Sequence, residues 1–312
     1  MFKYFLLCLL SLSLFSCSVL KKRKALNSEV NNAGGIFIST DGEDDIYGPA
    51  APIDHEEVVP TKREPLVSLV CPPGLLRAVS CLGVLKGMER EHKKVNMLVG
   101  VEFGALISAL YSKYKKASVV EWHLFSLGQE LKDEKARSKN WDKKIKKFIL
   151  KHFEGSRLEQ LGIPLILPLY SKQQEQVFYV KKGDVVTILN SHLVSDFPDK
   201  LNVFPPMELE FLSEEEMTNR GADIVVYIDV LGEKFNLKWH SGLIWGIYSG
   251  FISRSSLEKT GFSFVIKPAT ESIAIDDAGK IVELINLGEK IYKTSSIELE
   301  QKLNLWKEEN NP

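Results

Sequence analysis

Leu66-Val67-Ser68-Leu69-Val70-Cys71, then Pro72-Pro73-Gly74-Leu75, then a helix-spaced stretch to Glu91, then Val95–Val99 and Gly100-Val101-Glu102-Phe103-Gly104 stand in that order. This order decides the fold. Leu66–Cys71 is a short apolar run bounded by prolines, which reads as a buried strand. In Leu75–Glu91 the residues Val79, Leu82, Leu85 and Met88 recur every three positions and line one helical face. Val95–Val99 is a second buried strand, Gly100–Gly104 a glycine-flanked turn, and Ala105–Tyr114 a helix with small residues in its early turns. A βαβα unit of this kind requires a parallel sheet covered on both faces. Working outward, Leu165–Leu169, Val177–Val180, Ile224–Val230 and Phe262–Ile266 read as strands. Asp184–Ser195, Trp239–Glu258 and Asp276–Lys290 read as helices. The alternation predicts one α/β domain over residues 65–312, a three-layer α/β/α arrangement with a mostly parallel central sheet.

Composition narrows the function classes. The chain has 312 residues, 44% of them hydrophobic and 26% charged, with 40 Lys and Arg against 41 Asp and Glu. A disordered chain and a multi-span membrane protein are excluded. A net charge of −1 offers no overall basic excess for nucleic acid. There are four cysteines and no Cys-x-x-Cys pair, and the six histidines show no metal-ligand spacing. The acidic cluster Asp41, Glu43, Asp44 and Asp45 lacks the alternation of a calcium loop. No cofactor and no metal are expected.

The N-terminus reads as an address. Lys3 precedes an apolar run from Tyr4 to Phe15. At about 12 residues it is too short to span ~30 Å of hydrocarbon and has the length of a signal-peptide core. It ends in Leu14-Phe15-Ser16-Cys17, which resembles the bacterial lipobox. That resemblance implies a signal peptide over residues 1–16, lipidation of Cys17, and, with Ser18 rather than Asp next, an outer-membrane destination facing the periplasm. Lys21–Lys24 is a basic cluster suited to anionic headgroups or to a solvated linker. Residues 17–64, with Gly34-Gly35 and Pro49, Pro52 and Pro60, read as a flexible tether.

Residues 66–290 resemble the bacterial patatin-like phospholipases. The family's helix segment is matched by Leu82-Gly83-Val84-Leu85-Lys86-Gly87-Met88-Glu89, and its Gly-x-Ser-x-Gly elbow by Gly100-Val101-Glu102-Phe103-Gly104. Leu161-Gly162-Ile163-Pro164-Leu165, Gly183-Asp184 with Ser191, and Gly221-Ala222-Asp223 followed by Ile224–Val226 match later stretches. The resemblance implies a Ser–Asp dyad and a glycine-rich oxyanion loop acting on lipid acyl esters.

Three parts of that machinery are altered. Position 102, where the nucleophilic serine would stand on a strained strand-to-helix turn, is Glu. A carboxylate would form only a mixed anhydride; at a helix N-terminus it reads more simply as a stabilising filler, favoured by about 0.3–1 kcal/mol. Phe103 adds bulk where a substrate needs room. The oxyanion loop maps to Pro72-Pro73-Gly74-Leu75, with Arg77 in place of the family arginine; Pro72 and Pro73 have no N–H to donate, so the expected row of donors is missing. The family's Asp-Gly falls near Pro205-Pro206-Met207, where there is none, and Asp196 and Asp199 stand too early. Gly100, Glu102, Gly104, Pro73, Gly74 and Arg77 thus mark a degenerate site with no intact catalytic residue. Such a chain is expected to bind a lipid or an envelope protein at the membrane; a lipid acyl hydrolase with a rearranged site is the alternative.

Other candidates are weaker. Cys71 and Cys81 would pair only from awkward places, a strand end and mid-helix. Asn140–Phe153 sets Trp141, Ile145, Phe148 and His152 against Lys143, Lys144, Lys146, Lys147 and Lys151, which suits either an anionic membrane surface or, more simply, a helix covering the sheet.

Cys17→Ala is expected to release the chain from the membrane fraction. The wild-type mature N-terminus should carry diacylglycerol on Cys17 by mass spectrometry. An unmodified N-terminus would refute the lipobox.

Overall fold

The computed structural model describes residues 63–171, 173–195, 203–205, 212–231 and 261–310. The expected signal peptide, Cys17, Lys21–Lys24, the helix Trp239–Glu258, and Asp196, Asp199, Pro206 and Met207 lie outside the described residues. Strands β1 (Val67–Cys71), β2 (Met97–Gly100), β3 (Leu165–Ser171), β4 (Gln176–Val180), β5 (Val203–Phe204), β6 (Ile224–Ile228) and β7 (Ser263–Ile266) form one sheet. Its order is β4-β3-β2-β1-β6-β7, with β5 also on β3. The pairs β1–β2, β1–β6, β2–β3 and β6–β7 are parallel; β4 and β5 run antiparallel to β3.

The strand order follows from the connections. β1 to β2 to β3 steps one way, and right-handed crossovers then keep the intervening helices on one face. The chain then returns to β6 and β7 on the far side of β1. The result is a three-layer α/β/α fold with a mostly parallel sheet. β3 and β4 are joined by four residues, which suffices only for an antiparallel turn. Central β1 and β6 are buried at every position, as parallel strands covered on both sides must be.

The helices among the described residues are α1 (Ser80–Arg90), α2 (Phe103–Tyr114), α3 (Ala117–Leu131), α4 (Lys139–Phe153), α5 (Val185–Leu193), α6 (Glu214–Asn219) and α7 (Ile281–Asn310). The single helix expected over Leu75–Glu91 divides into a 3-10 turn, Leu75–Val79, and α1. The helix expected over Asp276–Lys290 starts with a 3-10 turn at Ala278 and continues to Asn310. Asp184 stands before α5 rather than in it, as an N-cap accepting the Thr187 N–H at 2.7 Å. Helices α3 and α6 were not anticipated. The tether, expected to run to Glu64, gives way sooner: Arg63 holds the Asp223 carboxylate at 2.6 and 2.8 Å and lies 4.6 Å over the Trp306 ring.

Helices α1 and α7 meet backbone to backbone. A Cβ on Gly83 would lie 2.0 Å from the Ile285 carbonyl oxygen, and one on Gly288 would lie 1.9 Å from that of Ser80. Only hydrogen at both positions lets the helices close. Alanine is the better helix former by about 1 kcal/mol, so intrinsic propensity opposes the clash. Because backbone cannot step aside, Gly83→Ala and Gly288→Ala are each expected to destabilise by about 3 kcal/mol in urea unfolding. The double variant should cost clearly less than the sum, since one added methyl already parts the helices.

Candidate functional site

The elbow closes β2 and opens α2. Gly100 pairs with Cys71 in the parallel register, Val101 N–H donates to the Cys71 carbonyl at 3.1 Å, and Glu102 turns the chain with φ 55° and ψ −122°. An L-residue resists this conformation, so the surrounding contacts must enforce it. They do so at close range. A Cβ on Gly104 would lie 2.3 Å from the Cys71 carbonyl oxygen and 2.6 Å from that of Pro72; one on Gly100 would lie 2.6 Å from Ala105 Cα. The two glycines of the motif are therefore required by packing, Gly104 against the end of β1 and Gly100 against the first turn of α2.

Glu102 is 3% exposed and sits at the N-cap position of α2, yet its side chain makes no bond to that helix. The filler expectation is thus corrected in its mechanism. The carboxylate reaches across to the loop after β1. Gly74 N–H and Leu75 N–H both donate to Glu102 Oε2 at 3.0 Å. Leu75 has φ 44°, and consecutive N–H groups turned this way form a small anion-binding concavity. On the other oxygen, Arg137 Nη2 donates to Glu102 Oε1 in a partly buried ion pair, while Arg137 Nη1 donates to the Leu193 carbonyl at 3.2 Å. The Glu102 backbone N–H donates to His192 Nδ1 at 3.1 Å. His192 is fully enclosed, and burial pushes its pKa down to about 3, so the imidazole is neutral and able to accept.

The loop was expected to lack the family's full row of donors, with Gly74 as its surviving glycine. Pro72 and Pro73 contribute none, but Gly74 and Leu75 supply two N–H groups. Arg77 lies apart from the carboxylate. Its buried guanidinium donates to the carbonyls of Ile273 (2.8 Å), Glu271 (3.3 Å) and Leu231 (3.4 Å), tying the loop to the segments after β6 and β7. Phe103 is buried in the first turn of α2. Cys71 and Cys81 are both free and buried, and burial with the Cys71 thiol alongside raises the Cys81 thiol well above its ordinary range. The two thiols are neighbours but unbonded, in keeping with the expectation against a disulfide. Arg137 and His192 were missed. Neither stands in a motif, and both reach residue 102 from elements far along the chain.

Among the described residues, no group of three or more His, Cys, Asp or Glu side chains converges as a metal site. No helix there is long and apolar enough to cross a membrane.

Chemically, the arrangement holds an anion. The donor pair after β1 lies at the carboxyl ends of parallel strands, beside the crevice where the strand order reverses between β1 and β6, the position at which open α/β sheets bind ligands. Here the chain's own carboxylate fills it.

No family model and no curated protein matches this sequence. Among solved structures the chain is similar to the type III effector protein ExoU, at a TM-score of 0.36 with 11% identity over 77% of this chain. It is also similar to human GIVD cytosolic phospholipase A2, solved with a fluorophosphonate inhibitor, at a TM-score of 0.39 with 11% identity over 78%. The chain spans 54% and 60% of those two chains.

Glu102→Ala would leave two buried N–H groups and Arg137 without their carboxylate while keeping the unfavourable φ. A loss of about 3–5 kcal/mol is expected in urea unfolding. Glu102→Gly should lose less, because glycine relieves a strain of about 1–3 kcal/mol. Arg137→Ala should cost little further once Glu102 is gone. Additive losses would mean that the two side chains are not coupled.

Proposed function

We propose that this chain is a lipid-anchored envelope protein whose patatin-like domain has a plugged hydrolase elbow and works by binding rather than by ester hydrolysis. One observation carries the reading: Glu102 Oε2 occupies the Gly74–Leu75 donor pair. In acyl transfer those donors must lie about 2.7–3.1 Å from the developing oxyanion. A substrate carbonyl would have to displace a carboxylate that is also paired with Arg137, exchanging a charged acceptor for a neutral one. Nor does Glu102 supply a nucleophile in the serine's place, since carboxylate attack on an ester yields a mixed anhydride. The lipobox resemblance at Leu14–Cys17 supports the anchor, and the outer-membrane destination belongs to the same proposal.

The rival reading, an acyl hydrolase with a rearranged site, draws on one feature, the preserved donor pair. Short-chain ester and phospholipid turnover by wild type, Glu102→Ala and Glu102→Ser decides between them. Wild type is expected to stay at background. Glu102→Ser frees the donors but has no Asp-Gly near Pro205 to act as base, so it is expected to remain at least ~10³-fold below an enzyme with an intact nucleophile–base pair. Wild-type turnover that survives Glu102→Ala would overturn the proposal and direct attention to Cys81 and Ser108, both wholly buried. Fast turnover in Glu102→Ser would reveal a base that the sequence does not show.

A further inference from the structure

Helix α3 presents an apolar ridge to solvent. Val119, Trp122 and Phe125 stand three residues apart on one face; all are exposed, Trp122 by 67%. The Trp122 and Phe125 rings stack with centroids 6.1 Å apart. Beside this ridge, α4 carries six lysines and a single acidic residue, Asp142. Asp142 is buried and accepts the Ser195 N–H at 3.0 Å. The apolar side of α4, with Trp141, Ile145, Phe148, Ile149 and Phe153, is spent on the core, so the covering-helix reading describes that side. Its lysines are a separate feature. Lys143, Lys147 and Lys151 are exposed, in a chain whose overall charge is −1. Positive charge is therefore gathered here rather than spread.

Between α3 and α4 lies a cavity of about 160 Å³ lined by Trp122, His123, Ser126, Lys147, Lys151 and His152, with Glu130 as its one carboxylate. His152 is 5% exposed. Its Nδ1 bonds the Tyr114 hydroxyl at 2.9 Å, and its buried Nε2 has no hydrogen-bond partner among the described residues. The environment is electropositive. Burial, then His123, Lys151 and Lys113, push the His152 pKa down to about 4, and burial with Lys151 lowers that of His123. A buried polar atom without a partner, in a cationic cavity of this size, suits a phosphate-sized anion.

We propose that the α3–α4 face docks onto an anionic bilayer, with the Trp122–Phe125 ridge in the interfacial region and a lipid phosphate seated between Lys147 and Lys151. Indole rings favour the headgroup level because one part is apolar and the other donates a hydrogen bond. Lysines near an anionic surface strengthen attachment by about fivefold each. Charge complementarity and the aromatic ridge point to the same occupant. The inference is independent of what happens at Glu102.

Vesicle cosedimentation of the full chain tests it, in a Cys17→Ala background so that no acyl chain contributes. Binding to phosphatidylcholine vesicles containing 30% phosphatidylglycerol should exceed binding to pure phosphatidylcholine by at least tenfold at about 0.1 M salt. Lys147→Gln with Lys151→Gln should cut the former by about 20–30-fold. Trp122→Ala, at a solvent-exposed position, should weaken it severalfold with unchanged urea unfolding. Equal binding by all variants overturns the proposal. So does a preference abolished only by replacing Lys21–Lys24, which would assign it to the N-terminal segment. Inorganic phosphate alone, followed through the His152 ring resonances, separates the sources: shifts with phosphate but no vesicle binding would identify a free-anion site, and retention on RNA without vesicle binding a different macromolecule.

Discussion

A buried carboxylate held from two sides organises the centre of this molecule. Glu102 is attached by its backbone to His192, by one oxygen to the loop after β1, and by the other to Arg137. Three regions distant in sequence therefore converge on one residue. Without the two N–H groups and the guanidinium, burying this charge would cost several kcal/mol. With them, the turn at φ 55° has the surrounding contacts needed to persist. The loop is shaped to hold the carboxylate, and the carboxylate keeps the loop in shape.

In the proposed reading, this reciprocity separates the geometry of an acyl-transfer site from its chemistry. Strand, tight turn and helix are present, the glycines at 100 and 104 are demanded by neighbouring backbone, and two amide donors face the position where negative charge would develop. A side chain that ends in a carboxylate changes the outcome by setting its own oxygen on those donors. Electrostatic preorganisation accelerates a reaction only when it favours the transition state over the ground state; here the same dipoles stabilise a resting state.

Much of the frame was legible in the sequence, for physical reasons. Parallel strands buried on both faces must be apolar throughout, so Leu66–Cys71 and Ile224–Val230 announced β1 and β6. Backbone in contact with backbone admits only glycine, so Gly100 and Gly104 announced the elbow. Helix α3 was harder to see: Val119, Val120, Trp122 and Phe125 mix β-branched and aromatic residues, and three of these four face solvent, which blurs the periodicity. α6 is six residues long, shorter than a periodic pattern can reveal. Arg137 and His192 had no local signal at all, because a long-range partner is chosen by the fold. The donor pair of the loop after β1 had no local signal for a related reason. Counting prolines reports which N–H groups are missing, while the direction of those that remain depends on the positive φ of Leu75.

The glycine-to-glycine contact of α1 and α7 bears on when the domain can close. Gly83 belongs to the first helix made and Gly288 to the last, so the contact spans nearly the whole domain in sequence. Loops of that length form late and slow the overall folding rate. While α7 has not yet been made, α1 has a bare groove where its partner belongs. Completion of the fold is thus coupled to the arrival of α7.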